Sequence, residues 1–202
     1  MYRIAVLASG RGSNLEAIIQ AWKAGELGGE IALVLSDNPK ARALERAAKY
    51  KIPHQVVNPA SYSNREAFDE ALIEVLKEYQ VELIVLAGYM RLISARVLQA
   101  FPWKIINIHP SLLPAFPGLN AQEQAWQYGV KYSGCTVHFV DEGMDTGPII
   151  AQRVVPVLPG DTVTDLTDRI LKEEHRLYPQ VIRWFAEGRV ILQGRKVLIK
   201  GE

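Results

Sequence analysis

"RIAVLASGRGSNLEAII", residues 3–19, opens as a continuous apolar run, crosses two glycines and ends in the Leu, Glu, Ala and Ile spacing of an amphipathic helix. An apolar run closed by small residues reads as a strand buried on both faces, and a helix directly after it reads as the first crossover of a parallel sheet. The alternation recurs. "EIALVLS" (30–36), "ELIVLAG" (82–88) and "IINIH" (105–109) are further strand-like runs, with helical patterns over 14–25, 41–50 and 64–79 and a brief helix in "SARVLQAF" (94–101). Repeated strand–helix units predict an α/β fold with a doubly wound, mostly parallel sheet, Rossmann-like in its N-terminal half. After residue 118 the texture changes. A helix near 120–129 is followed by "CTVHFV" (135–140) and "PIIAQRVVPV" (148–157), whose β-branched content predicts antiparallel strands, then by a long helix over about 164–187. "RVILQGRKVLI" (189–199) predicts a hairpin turning at Gln193-Gly194. With no repeat, low-complexity tract or flexible linker, the reading is one domain over 1–202 with two halves, 1–100 and 101–202.

A chain of 202 residues with 49% hydrophobic content has the side chains for a sizeable core. Its 23 basic and 22 acidic residues nearly cancel, which speaks against the broad positive field of a nucleic-acid binder. No stretch approaches the roughly 18 apolar residues of a membrane span. A single cysteine, Cys135, cannot form an internal disulfide and agrees with a reducing compartment. The expectation is a cytoplasmic protein with neither nucleic-acid nor membrane partner.

The glycine turn after the first strand lies where a parallel sheet presents backbone N–H groups and the positive end of a helix dipole. Gly10 and Gly12 permit close backbone approach, and Ser13 and Asn14 can cap the helix or donate to a phosphate. A dinucleotide fingerprint needs a third glycine where Leu15 stands, and the Gly-Lys-Ser/Thr ending of a P-loop is absent, so a single phosphate monoester fits better. An ordinary strand–helix turn capped by Ser13 is the alternative.

"NIHPSLLPAFPG" (107–118) places Asn107 and His109 two apart at a strand end, so both side chains leave one face at the sheet's carboxyl edge. Pro110, Pro114 and Pro117 keep the next stretch irregular and stiff. In "DEGMDTGPII" (141–150), Asp145 is the carboxylate whose reach to His109 would orient the imidazole and favour its cationic form. A cationic His beside an Asn amide supplies two donors for a developing oxyanion. No nucleophile elbow accompanies them, and Cys135 reads as a core residue, so direct transfer between two bound substrates suits the set. There is no HExxH or compact His/Cys cluster, and no metal is expected. Glu174 falls on the apolar stripe of Ile170, Leu177 and Val181; it either pairs with an arginine such as Arg169, escapes to water at an edge, or accepts hydrogen bonds from a ligand. Of the remaining histidines, His54 reads as a solvent-facing strand start, His175 as the polar side of its helix, and His138 as a strand residue, with support of the catalytic side chains from behind as the minor reading.

"LASGRGSNLEAII", "VLAGYMRLIS", "NIHPSLLPAFPG", "VHFVDEGMDTGPI" and "EEHRLYP", in that order along the chain, resemble the folate-dependent phosphoribosylglycinamide formyltransferases. The resemblance implies the formyltransferase fold, 10-formyltetrahydrofolate as co-substrate and phosphoribosylglycinamide as acceptor, in a monomer or weak homodimer. It implies that Gly12, Ser13 and Asn14 bind the acceptor's phosphate and that Glu174 meets its ribose or glycinamide end. It implies a pterin pocket lined by the backbone of Met90, Arg91, Leu92 and Ile93, with Asn107, Val140 and Asp141 also on the folate and Arg65 at its benzoyl-glutamate end. The catalytic set it implies is Asn107, His109 and Asp145. By pattern alone, Arg65 is equally a solvated helix-start residue. Asn120 stands where many relatives carry a histidine, which speaks against an essential acid–base role there. Competing readings are a formyltetrahydrofolate hydrolase, expected to carry a regulatory domain ahead of the glycine turn; a methionyl-tRNA formyltransferase, expected to carry a basic C-terminal domain; and a non-catalytic mononucleotide-binding module.

Overall fold

The computed structural model describes residues 1–201, which divide into two compact units at Ile106–Asn107. The first unit contains β1 (Tyr2–Leu7), α1 (Ser13–Lys23), β2 (Gly29–Ser36), α2 (Arg42–Lys49), β3 (His54–Val56), a 3-10 turn at Pro59–Ser61, α3 (Arg65–Glu78), β4 (Leu83–Leu86), α4 (Ala95–Ala100) and the start of β5 (Ile105–His109). Its strands follow the order β3-β2-β1-β4-β5, and β1 pairs parallel with both β2 and β4. The order places the first strand in the middle. Ile4, Ala5, Val6, Leu7 and Ala8 are wholly buried, as expected for a strand covered on both faces, while three-residue β3 at the edge begins at the exposed His54. Leu15, Ile18 and Ile19 form the buried face of α1, and burying each contributes roughly 2 kcal/mol of hydrophobic free energy.

At the carboxyl ends of these strands the loops are tied to one another. Ser9 N–H donates to the Gly88 carbonyl at 3.1 Å, the Met90 N–H donates to Ser9 Oγ at 2.9 Å, and Asn38 Nδ2 donates to the Ser9 carbonyl at 3.2 Å. Three connections after β1, β2 and β4 thus share one polar anchor at Ser9.

The second unit holds the end of β5, then α5 (Ala121–Tyr128), β6 (Tyr132–Phe139), β7 (Ile149–Pro156), α6 (Val163–Ala186), β8 (Val190–Gln193) and β9 (Lys196–Ile199). Here the order is β5-β6-β7, with β6 and β7 antiparallel and β8 and β9 forming the expected hairpin, which turns at Gly194-Arg195 rather than at Gln193-Gly194 because Gln193 pairs with Lys196. Side chains of β6 and β7 pin the proline-rich loop after β5: Thr136 Oγ1 donates to the Ser111 carbonyl at 2.7 Å, Gln152 Nε2 donates to the Leu113 carbonyl at 3.0 Å, and the Leu113 N–H donates to Thr136 Oγ1 at 3.1 Å. An irregular loop stays rigid when its backbone groups find such partners.

Helix α6 starts at a capping box, in which Thr162 accepts from the Asp165 N–H and Asp165 accepts from the Thr162 N–H. It runs through Pro179, which lacks the N–H that would bond the carbonyl of His175, and yet Pro179 is buried beside Tyr178, Val181 and Ile182. Packing outweighs the lost bond. Thr162→Ala should lower stability by about 1 kcal/mol; an unchanged urea midpoint would show that the cap contributes nothing to α6.

Candidate active site

The turn after β1 is built around Gly12, which caps α1 at φ 70° and ψ 36° with no side-chain cap bond. Ser13 is therefore the first helical residue, and the alternative of a turn capped by Ser13 does not form. A Cβ at position 12 would lie 3.1 Å from both Cα and Cβ of Ala43, so glycine is required by the left-handed backbone and by the close approach of α2. Ser13 and Asn14 open the helix, ahead of its first backbone bond, in which the Glu16 N–H donates to the Gly12 carbonyl at 2.9 Å.

In the same unit, the loop after β4 exposes Met90 and Leu92, at 67% and 64% accessibility, an apolar surface that a flat ligand could cover. Arg65, the first residue of α3, is not merely solvated: its Nη2 donates to the Leu92 carbonyl at 2.8 Å. Arg91 lies over the Phe68 ring at 5.0 Å. Of the backbone groups expected to line a pterin pocket, the Met90 N–H and the Leu92 carbonyl already have partners inside the protein. Ile93 completes the segment, half-buried.

In the second unit, β5 carries Asn107 and the buried His109 to its carboxyl end, and the loop after β6 brings Asp145 to them. His109 Nδ1 is 3.3 Å from Asp145 Oδ2, and His109 Nε2 is 2.8 Å from the Phe116 carbonyl oxygen. Both partners are acceptors, a pairing that an imidazolium with hydrogens on both nitrogens satisfies. Asp145 adopts a left-handed φ of 55°, and its Oδ2 accepts from the Gly118 N–H at 2.8 Å. The loop that presents it is closed by Thr146 Oγ1 donating to Asp141 Oδ1 at 2.6 Å, with Val140 and Asp141 half-buried at its entrance.

A fourth member belongs to this cluster. His138 is 2% exposed, with Nδ1 2.8 Å from the Phe139 carbonyl, Nε2 3.5 Å from Asn107 Nδ2 and 3.7 Å from Asp145 Oδ1. Burial lowers its pKa below 6.5, outweighing the Phe139 carbonyl and the Asp145 carboxylate, which act the other way. A neutral ring whose Nδ1–H goes to the Phe139 carbonyl has an Nε2 lone pair left to accept from the Asn107 amide. That contact orients the amide with its NH₂ toward His138. Period-two alternation puts His138 and Thr136 on one face of β6, but nothing in the sequence marks that face as the one meeting β5's polar end.

Glu174 is 7% exposed on the same face of α6 as Ile170, Leu177 and Val181. Of the readings for Glu174, a pairing with Arg169 does not form, because Arg169 bonds both carboxylate oxygens of Asp161, at 2.6 and 2.9 Å, and the burial of Glu174 excludes escape to water. Burial, with the Glu174 and Glu173 carboxylates, pushes the Cys135 thiol up to about 12, which leaves it inert as a nucleophile. His175 is half-buried rather than on a polar face, and its Nε2 lacks a hydrogen-bond partner.

Residues 2–182 match the formyl transferase family. The chain belongs to that family. It is 53% identical to the phosphoribosylglycinamide formyltransferase of Bacillus subtilis, over 91% of this chain and 94% of that protein. The glycinamide ribonucleotide transformylase 1 structure from Symbiobacterium toebii superposes with a TM-score of 0.96 at 57% identity, covering 98% of this chain and 94% of the other. A formyltetrahydrofolate deformylase from Pseudomonas syringae also superposes, with a TM-score of 0.90, but at 28% identity and over 65% of its length against 98% of this chain. The span that matches the family includes the Gly12 turn, the 90–93 loop, the Asn107–His109–His138–Asp145 cluster and Glu174; β8 and β9 lie beyond it. Among the described residues no helix is long and apolar enough to cross a membrane.

The depressed pKa of His138 has a thermodynamic consequence. Below 6.5 the unfolded chain takes up a proton at this ring that the native state resists, so the contribution is fully present above 6.5 and declines as the pH falls through that value. Urea unfolding across this window should show stability falling with pH, and His138→Gln should flatten the slope; an equal slope in the variant would mean that His138 is not the group responsible. His175, lowered by burial too, contributes in the same direction.

Proposed function

We propose that the chain is a phosphoribosylglycinamide formyltransferase, moving the formyl group of 10-formyltetrahydrofolate to the glycinamide amine of phosphoribosylglycinamide in purine biosynthesis. The observation that carries the reading is the cluster in which Asp145 contacts His109 at 3.3 Å with Asn107 on the same strand. Family membership and the identities above support this acceptor over the alternatives. The two units act as one catalytic domain, in a cytoplasmic protein that works as a monomer or weak homodimer without a metal.

In this mechanism the acceptor amine attacks the formyl carbon while Asn107 Nδ2–H and the His109 Nε2–H donate to the developing oxyanion. The hydrogen that the Phe116 carbonyl accepts in the resting site is the one the oxyanion takes over. Asp145 compensates the imidazolium charge through Nδ1, and a water held at its carboxylate carries the proton lost by the amine to the departing N10. Donors fixed in a buried site before charge appears cost no reorganisation when it does. His138 acts through Asn107 by holding its amide. Gly12, Ser13 and Asn14 receive the acceptor's phosphate, Glu174 its ribose or glycinamide end; Arg65, Met90, Arg91, Leu92, Ile93, Asn107, Val140 and Asp141 serve the folate.

The test is the absorbance change on deformylation of 10-formyltetrahydrofolate, with and without phosphoribosylglycinamide. Acceptor-dependent turnover is expected, and His109→Ala and Asn107→Ala should each lower kcat by about a hundredfold or more. Acceptor-independent release of formate would replace this reading with a hydrolase; no turnover in either condition would leave a binding module.

A further inference from the structure

Helix α2 holds both carbonyls that precede the left-handed Gly12. The Ala43 N–H donates to the Gly10 carbonyl at 3.2 Å, and Arg46 Nε donates to the Arg11 carbonyl at 3.0 Å. In a trans peptide group the C=O and the following N–H point opposite ways, and among the described residues the cis bond is elsewhere, at Leu113–Pro114. Drawing the Gly10 and Arg11 carbonyls toward α2 therefore turns the Arg11 and Gly12 N–H groups away from it. Successive amides turned to one side, with a left-handed residue among them, form the backbone concavity that binds anions. The aim of this concavity is thus set from α2.

The same turn carries an unfavourable charge. Glu16 stands in the first turn of α1, where it favours the helix dipole but opposes any anion brought to the terminus. Its Oε2 accepts from Arg46 Nη1 at 2.7 Å, and its Oε1 accepts from Tyr50 Oη and from Gln20 Nε2, each at 2.8 Å. Burial alone would raise the Glu16 pKa; the bonds from Tyr50, Arg46 and Gln20 outweigh it and hold the carboxyl below its usual range. The charge is permanent at neutral pH, and Arg46 is the cation bonded to it.

We propose that Arg46 is the positioning residue of the phosphate turn, one guanidinium that aims the Gly12 amide through the Arg11 carbonyl and cancels the Glu16 charge, so that a phosphate monoester can bind. Arginine suits both tasks because its planar fork presents Nε to one acceptor and Nη1 to another, whereas a lysine offers a single nitrogen. Arg46 does not touch the phosphate. That a phosphate binds at this turn rests on the formyltransferase reading; what Arg46 does to the turn is read from its own bonds.

The full-length protein is titrated with inorganic phosphate, following the Gly12 amide by NMR, and the same variants are assayed for kcat and for KM of both substrates. Arg46→Ala should weaken phosphate binding and raise the acceptor KM by about tenfold or more, with kcat and the folate KM within about twofold. Arg46→Lys keeps the charge and loses the second contact, so it should fall between wild type and alanine. Adding Glu16→Gln to Arg46→Ala should recover part of the lost affinity, because it removes the repulsion without restoring the aim. Unchanged phosphate affinity in Arg46→Ala would overturn the proposal, as would equal loss of kcat and of both KM values in the Ala and Lys variants, which marks a general structural role. Should Arg46→Ala fail to fold, Arg46→Lys decides: weakened phosphate binding at an unaltered melting temperature supports the positioning role, and wild-type affinity removes it. Acceptor-independent turnover by the wild type would refute the transferase reading alone, since the phosphate titration reads Arg46 without any turnover.

Discussion

The Asp145 carboxylate is the contact on which the polar cluster of the second unit depends. One oxygen meets His109 and the Gly118 N–H, the other lies nearest His138, and so a strand end, a proline-rich loop and a second strand are referred to one side chain. Its backbone sits at φ 55°, a conformation that costs a non-glycine residue on the order of 1 kcal/mol or more and persists only where the surroundings over-determine it. The surroundings here are specific. Thr146 and Asp141 close the loop, and a Cβ at Gly147 would collide with the Phe139 carbonyl oxygen, so the chain is pressed against the end of β6 just after Asp145. The C-terminal hairpin adds a further hold, with Arg195 Nη2 donating to the Thr146 carbonyl at 2.7 Å.

The proposed reaction asks for two kinds of anion receptor, one in each unit, and the two charges differ in kind. A phosphate monoester carries its charge before, during and after the reaction, and on the proposed reading it is met by backbone N–H groups of the Gly12 turn, whose preceding carbonyls are held by the Ala43 N–H and by Arg46 Nε. An oxyanion exists only in passing, and on the same reading it is met at the end of β5 by Asn107 and His109, whose nitrogens lie against His138 Nε2 and the Phe116 carbonyl in the resting site. Buried polar groups without such partners would cost free energy throughout the resting state. The Phe116 carbonyl and His138 Nε2 are those partners.

Much of this was legible in the sequence. The strand–helix alternation from Arg3 to His109 has the periods of a parallel sheet, the change after Gly118 marks the antiparallel strands, and Asn107 and His109 two apart at a strand end must share a face. Other features were not. Ser13 in a cap-friendly sequence turns out to be helical because Gly12 takes the cap position, and Arg169 prefers Asp161 to Glu174 because that carboxylate accepts a two-pronged bond. His138 reads only as a strand residue, with a supporting role as the minor reading, because alternation tells which residues share a face but not what the face meets. Arg65 was ambiguous for the same reason, its partner being a backbone carbonyl 27 positions along.

What the sequence by itself determined is whatever depends on neighbours in the chain: the strand and helix periods, the glycine at the left-handed turn, the prolines that keep 110–117 irregular, the shared face of Asn107 and His109. These are short-range consequences of sterics and of alternating burial, and they hold wherever the segment is put. Only the tertiary structure decided the long-range pairings: Asp145 with His109, His138 with Asn107, Arg46 with both the Arg11 carbonyl and Glu16. Hydrogen bonds and ion pairs act over a few ångströms and require their partners in place, and a chain brings residues 30 or more positions apart to that distance only once its core has packed.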